Sequence, residues 1–247
     1  MILAFLITAF LYASVGFGGG STYNALLFLY DVDYSLIPKI ALTCNLIVVA
    51  WGTIRYSRKG LIPWKNTIPL ICVSTPFAWF GGSLLISKEV FLSTLGVTLL
   101  LSGLFLIIRQ SEVSEISKNF KSKIGFLAYS AVSAILGFLA GLVGIGGGIF
   151  FSPILHLSKA MPSINIAAFS SIFILVNSTA GLIGQFTKGY EKEVMLEYLN
   201  YSWLFIAVFI GGLFGNQLGI NAFKPIIIRR LTGVLVIYVA FRLLLGF

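Results

Sequence analysis

The sequence predicts an all-α polytopic membrane protein of two homologous halves, with about eight hydrophobic helical segments, two of them broken by glycine. Three observations carry this. The 247 residues are 58% hydrophobic and only 10% charged, with a mean hydropathy of +0.99, where a soluble domain carries about 25% charged residues. Apolar runs of about 18 or more residues, each able to cross a bilayer, recur along the chain. One glycine-rich run occurs twice, as Gly16-Phe17-Gly18-Gly19-Gly20 and as Gly144-Ile145-Gly146-Gly147-Gly148. The apolar runs do not alternate, which excludes the strands of an outer-membrane barrel. No stretch is long and polar enough for a separate soluble domain.

Met1–Tyr30 is the first apolar segment, interrupted at Gly16–Gly20. Its first residues have no basic n-region and are expected to belong to the mature structure. Asp31, Asp33, Pro38 and Lys39 mark a loop, and a helix is expected from about Ile40 to Thr53. Arg55, Arg58, Lys59 and Lys65, with Gly60 and Pro63, form a basic turn. Ile68–Ile86 is a span bent at Pro69 and Pro76. Lys88-Glu89 is a tight turn before the span Val90–Ile108. The most polar stretch, from Arg109 to Lys123, divides the chain into a transmembrane repeat (1–109), a cytoplasmic linker (110–123) and a second repeat (124–247). There Ile124–Leu157 carries the second glycine run, Lys159 and Pro162 mark a loop, and Ile166–Phe186 spans. Lys188–Glu197 is a polar turn, Tyr198–Ile220 a span, Lys224–Arg230 a basic turn and Leu231–Leu245 the last helix.

The halves superpose at an offset of 128 residues at the glycine runs. Leu27 and Leu29 then fall on Leu155 and Leu157, Lys59-Gly60 on Lys188-Gly189, Gly81-Gly82 on Gly211-Gly212, and Gly96-Val97 on Gly233-Val234. Internal symmetry of this kind is common in secondary transporters. Equivalent loops carry opposed charge: the basic turn at 55–65 matches the mixed one at 188–197, and the neutral turn at Lys88-Glu89 matches the basic one at Lys224–Arg230. Basic loops face the cytoplasm, so inverted repeats are favoured over parallel ones. Met1–Tyr30 as one straight helix would measure about 45 Å against about 30 Å of hydrocarbon. A re-entrant hairpin turning at the glycines fits better. The expectation is six full spans plus two such hairpins, with the termini outside. The net charge of +9 is read as this loop bias and not as a nucleic-acid footprint.

Three adjacent glycines break a helix, and broken backbone within a bilayer survives only where protein or a water-filled cavity satisfies it. The two breaks are therefore expected to meet near mid-membrane and form a substrate site. No acid lies deep in an apolar segment, so coupling through a buried carboxylate has no candidate. A half-helix beginning at Ser21 or Ile149 offers free N–H groups and a positive dipole end, which suits an anion. The candidate binding residues are Gly16, Gly18, Gly19, Gly20, Ser21, Thr22 and Asn24 at the first break. Gly144, Gly146, Gly147, Gly148, Ser152 and Pro153 are their counterparts at the second. Thr43, Asn45, Ser170, Ser171 and Asn177 lie on the paired helices. A membrane-helix hydroxyl can instead bond its own i−4 carbonyl, and Gly81-Gly82 and Gly211-Gly212 read as close-packing positions. Arg55 is read as snorkelling to the cytoplasmic interface.

Cys44 and Cys72 lie in apolar segments without a CxxC or a Cys/His cluster, so neither metal nor cofactor nor disulfide is expected. The expected partners are a small anion and the lipid bilayer of the cell (plasma or inner) membrane, not nucleic acid; homo-oligomerisation is left open. A passive anion channel is the alternative, although the charged rings or filter of a channel are not evident. An intramembrane serine protease using Ser21 and His156 is disfavoured, because Thr22 follows the serine where such proteases have glycine and the duplication would have no explanation.

The duplicated glycine breaks, with Ser152-Pro153 after the second and the small polar residues Thr43 and Ser170-Ser171 in the following helices, resemble the sulfite exporter TauE/SafE family over essentially the full chain. The resemblance implies a transporter of sulfur-containing oxyanions or organosulfonates. Asn24-Ala25 stands where the second copy has Ser152-Pro153, so the two breaks are not expected to act identically.

Overall fold

The computed structural model describes residues 1–14, 16–108, 123–158, 160–188, 192–218 and 225–245. These form helices α1 (Ile2–Ser14), α2 (Gly20–Leu29), α3 (Ile37–Arg58), α4 (Trp64–Ser83), α5 (Lys88–Ile108) and α6 (Lys123–Val143). After them come α7 (Gly148–Leu157), α8 (Ser163–Thr187), α9 (Lys192–Asn200), α10 (Ser202–Leu218) and α11 (Pro225–Leu245). Among the described residues four helices, α3, α5, α6 and α8, are long and apolar enough to cross a membrane, and α1, α7, α10 and α11 add shorter apolar stretches.

Several polar stretches expected to be turns are helical. Pro38 lies in the first turn of α3, where its missing N–H costs nothing. Arg55 and Arg58 occupy the last turn of α3, where cations complement the carbonyl end of the dipole. Lys88-Glu89 is the start of α5, and Pro225 opens α11, so Pro225–Arg230 is helix. The turn expected at Lys188–Glu197 is partly the short helix α9, and Tyr201 separates α9 from α10. The proposed linker falls almost wholly outside the described residues, as do Lys159 and Lys224.

Helices pair through close backbone approach at small residues. α1 and α10 run in the same direction, Gly211 against the Leu6 carbonyl and Gly215 against that of Phe10. α4 and α6 also run together, Gly137 against Ser74 and Gly141 against Ala78. The pairs Gly81-Gly82 and Gly211-Gly212 thus serve helix packing. α3 and α8 run in opposite directions, with Leu42 beside Gly181 and Ser171 beside Gly52. α5 and α11 are likewise opposed, with Gly96 beside Leu243 and Leu244, and Gly103 beside Ile237 and Gly233. α3 and α8 are the most enclosed spans. Large apolar side chains such as Leu127, Ile135, Trp203 and Tyr238 face outward. So wide an apolar exterior suits lipid.

Candidate functional site

At each glycine run the chain leaves one helix, turns and re-enters another. Gly19 caps α2 with φ 91° and Gly147 caps α7 with φ 74°, both left-handed. That conformation is open to glycine and costs other residues about 1–2 kcal/mol. The turn sends α2 back along α1. Phe5 and Tyr23 stack with ring centroids 5.0 Å apart, and the hydroxyls of Tyr12 and Thr22 lie 2.9 Å apart. The Met1 amine donates to the Tyr30 hydroxyl at 3.0 Å. The second turn repeats the first: a methyl on Gly19 would meet Thr8, and one on Gly147 would meet Leu136, positions related by the same offset of 128. α6, at 21 residues, is longer than α1, at 13, and is itself long and apolar enough to cross a membrane.

The two turns meet. A Cβ on Gly20 would lie 2.7 Å from the Ile145 carbonyl oxygen. Asn45 of α3 touches both runs: its carboxamide oxygen faces Gly18, and its nitrogen would lie 2.5 Å from a Cβ on Gly20 and 2.9 Å from one on Gly146. Ile174 of α8 likewise faces Gly18, Gly146 and Gly148. The offset that pairs Lys59 with Lys188 also pairs Asn45 with Ile174. Equivalent positions thus wedge the junction from both sides, one with an amide and one with a hydrocarbon. α7 is seated on α8 by Phe151, whose ring meets Phe169 and Phe173 edge-on at 5.0 and 5.1 Å.

The amides cap the end of α6. Asn24 Nδ2 donates to the Val143 carbonyl at 2.7 Å and Asn45 Nδ2 to that of Ile145 at 3.3 Å. Gln185 Nε2 donates to the carbonyls of Gly141 and Leu142 at 2.8 and 3.3 Å. A helix terminus leaves such carbonyls without intrahelical partners, and side chains from α2, α3 and α8 supply the donors. By contrast, no side chain caps the N-terminus of α2 or of α7.

Around these uncapped ends lie buried polar atoms without hydrogen-bond partners: the hydroxyls of Ser21, Tyr23, Ser152, Ser170 and Ser178, and the carboxamide oxygens of Asn24, Asn45 and Asn177. Every one of these residues is at most 1% exposed. Leaving such a group unpaired costs about 1–3 kcal/mol, so the concentration of them at one junction calls for a reason. Ser21, Asn24, Asn45, Ser152, Ser170 and Asn177 were expected from sequence. Tyr23 and Ser178 were not, although each adjoins an expected residue in the chain. Of the expected glycines, Gly18, Gly20, Gly146 and Gly148 face the junction, while Gly16 lies against Tyr56, Gly19 against Tyr23, Gly144 against Pro38 and Gly147 against Leu136 and Phe173.

Other expected residues are engaged elsewhere. Thr22 bonds Tyr12. Thr43 donates to the Lys39 carbonyl at 2.9 Å and lies 2.7 Å from the Tyr198 hydroxyl. Ser171 lies 2.9 Å from the Thr53 hydroxyl. These tie α3 to α8 and α9. Pro153 sits inside α7 and withdraws the donor that the Ile149 carbonyl would otherwise take. The Ser21 hydroxyl bonds nothing, so no Ser21–His156 dyad is formed. Arg55 donates to the Asn216 carbonyl of α10, so its guanidinium is held by a helix end as well as facing outward. Lys188, just beyond α8, has its pKa lowered to about 8, first by burial and then by the neighbouring charge of Lys39.

The sequence profile of the sulfite exporter TauE/SafE family matches residues 1–243. A probable membrane transporter protein of Sinorhizobium fredii is 29% identical over 99% of this chain and 97% of its own length. A probable membrane transporter protein of Methanocaldococcus jannaschii is 28% identical over 78% of this chain and 74% of its own. No solved structure matches the chain.

Proposed function

The chain belongs to the sulfite exporter TauE/SafE family of membrane proteins, and from that premise we propose that it is a secondary transporter that binds a small anion, a sulfur-containing oxyanion or organosulfonate, where the two glycine breaks meet. The observation that carries the reading is the set of unpartnered hydroxyls gathered at two uncapped helix N-termini. N-terminal N–H groups and hydroxyls are donors, and an oxyanion accepts from several donors at once. The breaks stand near mid-membrane in this reading, within a multi-pass protein of the cell membrane.

The halves are read as inverted repeats. In support, α3 and α8 are equivalent by the internal superposition and run in opposite directions, as do α5 and α11. An axis along the membrane normal would make equivalent neighbours parallel. With the termini outside, the 55–65 turn, the linker and the Lys224–Arg230 region face the cytoplasm, in keeping with the positive-inside bias.

Sulfite, sulfate or a short sulfonate should raise the melting temperature of the purified protein, while organic cations and neutral sugars should not. Ligand at about 100 times its dissociation constant adds about 2.7 kcal/mol. Flux of the stabilising anion into proteoliposomes, with and without an imposed ion gradient, then separates a coupled transporter from a passive channel. A shift with an organic cation and none with any oxyanion would overturn this reading.

A further inference from the structure

The orientation of three buried asparagines, Asn24 and Asn45 at the junction and Asn177 on α8 beside Ser178, carries a second binding element. Each spends one amide N–H on a main-chain carbonyl: Asn24 on Val143, Asn45 on Ile145 and Asn177 on Phe173 of its own helix. Those bonds fix which end of each carboxamide is nitrogen, and the oxygens remain free. A carboxamide oxygen accepts hydrogen bonds or binds a cation and donates nothing. An oxyanion has no use for it. Each amide keeps a second N–H that can face the anion, while its oxygen needs a partner of a different kind.

Charge balance points the same way. A bare anion in a dehydrated site is costly unless paired. The basic side chains of α3 on either side of Asn45 are engaged away from the junction, Lys39 with the Ser35 carbonyl and Arg55 with that of Asn216. Among the described residues no three His, Cys, Asp or Glu side chains come together. The free asparagine oxygens belong to carboxamides and are uncharged, a donor type that suits a hard monovalent cation. Broken helices in transporters place such ions beside unwound backbone.

We propose that the junction binds a monovalent cation, Na⁺, together with the anion, with the carboxamide oxygens of Asn24, Asn45 and Asn177 as its protein ligands. This deepens the anion reading above and rests on it. The cation satisfies the acceptors and neutralises the substrate, while the helix N-termini and serine hydroxyls hold the anion. The two ligands then bind cooperatively, and a Na⁺ gradient is coupled to anion movement.

The test is a sulfite titration of the purified full-length protein, followed by thermal melting at constant ionic strength in sodium gluconate or in N-methyl-D-glucamine gluconate. The apparent dissociation constant for sulfite should be at least about tenfold lower in Na⁺, a coupling of about 1.4 kcal/mol. Asn177→Ala breaks no tie between helices, because Asn177 bonds only within α8. It should fold and show in Na⁺ the weaker affinity that the unsubstituted protein shows without it. Asn45→Ala should do the same. An equal response to sulfite in both salts would overturn the cation and leave the anion site standing. Melting raised by Na⁺, abolished in Asn177→Ala and indifferent to every oxyanion would support the cation site and overturn the anion reading. No response to either ion would overturn both.

Discussion

Single residues at the junction separate by what they bond. Gly19 and Gly147 cap their helices in the left-handed region with neighbours close on the side a Cβ would take. Alanine at either should lower unfolding stability by about 1–2 kcal/mol. Leucine, driven into Tyr23 and Thr8 or into Phe173, should abolish flux in proteoliposomes. Asn24 holds the Val143 carbonyl, so Asn24→Ala should cost about 1–3 kcal/mol in a denaturation experiment without ligand. Ser21 and Ser152 hold nothing. Their alanine variants should unfold within about 1 kcal/mol of the parent, having lost no bond, yet bind the oxyanion more weakly. Lys188 gives a pH signature. Its folded pKa of about 8 lies below that of a lysine in the unfolded chain, so the unfolded state binds more protons between the two values. Stability should therefore rise with pH from about 8 towards about 10.4, and Lys188→Gln should flatten that slope in melting curves taken across the window.

Elements were legible where local chemistry decides them and obscure where distant partners do. The breaks could be read because consecutive glycines are poor helix formers, and the structure places positive φ at Gly16, Gly19, Gly144, Gly146 and Gly147. The ends of α3 were misjudged because Pro38 and Arg55 serve as loop or as helix-terminal residues alike, and tertiary packing chose the latter. α9 carries three charges in nine residues, which reads as a turn until Tyr198 is seen against Phe186 and Phe205. The amides were identified as candidate site residues but their bonds to main-chain carbonyls were not foreseen, because nothing in a sequence says that Val143 and Ile145 will present carbonyls to them. At this scale topology is the open prediction. Single cysteines in Lys188–Glu197 and Lys224–Arg230, introduced after replacing Cys44 and Cys72, should label from opposite sides of the membrane, the second from the cytoplasm. Labelling of both from one side would overturn the inverted arrangement. Cys72 is exposed and Cys44 buried, so the background signal to remove is chiefly that of Cys72.

Across the whole molecule the halves are not separable bodies. The first helix of each packs on a helix of the other, α1 on α10 and α6 on α4, while α3 meets α8 and α5 meets α11. The close contacts at Gly141, Gly211 and Gly215 all join one half to the other. Residues 1–109 or 124–247 expressed alone should therefore fail to give a stable detergent-soluble species, and co-expression should restore one that binds the oxyanion. Stable, separately purified halves would show that the exchange of first helices contributes little.

That exchange also sets a schedule for synthesis. α1 leaves the ribosome first, and α10, the helix it packs against, begins only at Ser202. At about 5–20 residues per second, translation of the intervening chain takes about ten to forty seconds. Through that interval Ala9, wholly enclosed in the finished protein, has no α10 to cover it. A cysteine at position 9 in ribosome-bound chains arrested before Ser202 should react with a membrane-permeant maleimide. The same cysteine in chains arrested beyond Leu218, with enough tether to clear the tunnel, should be protected.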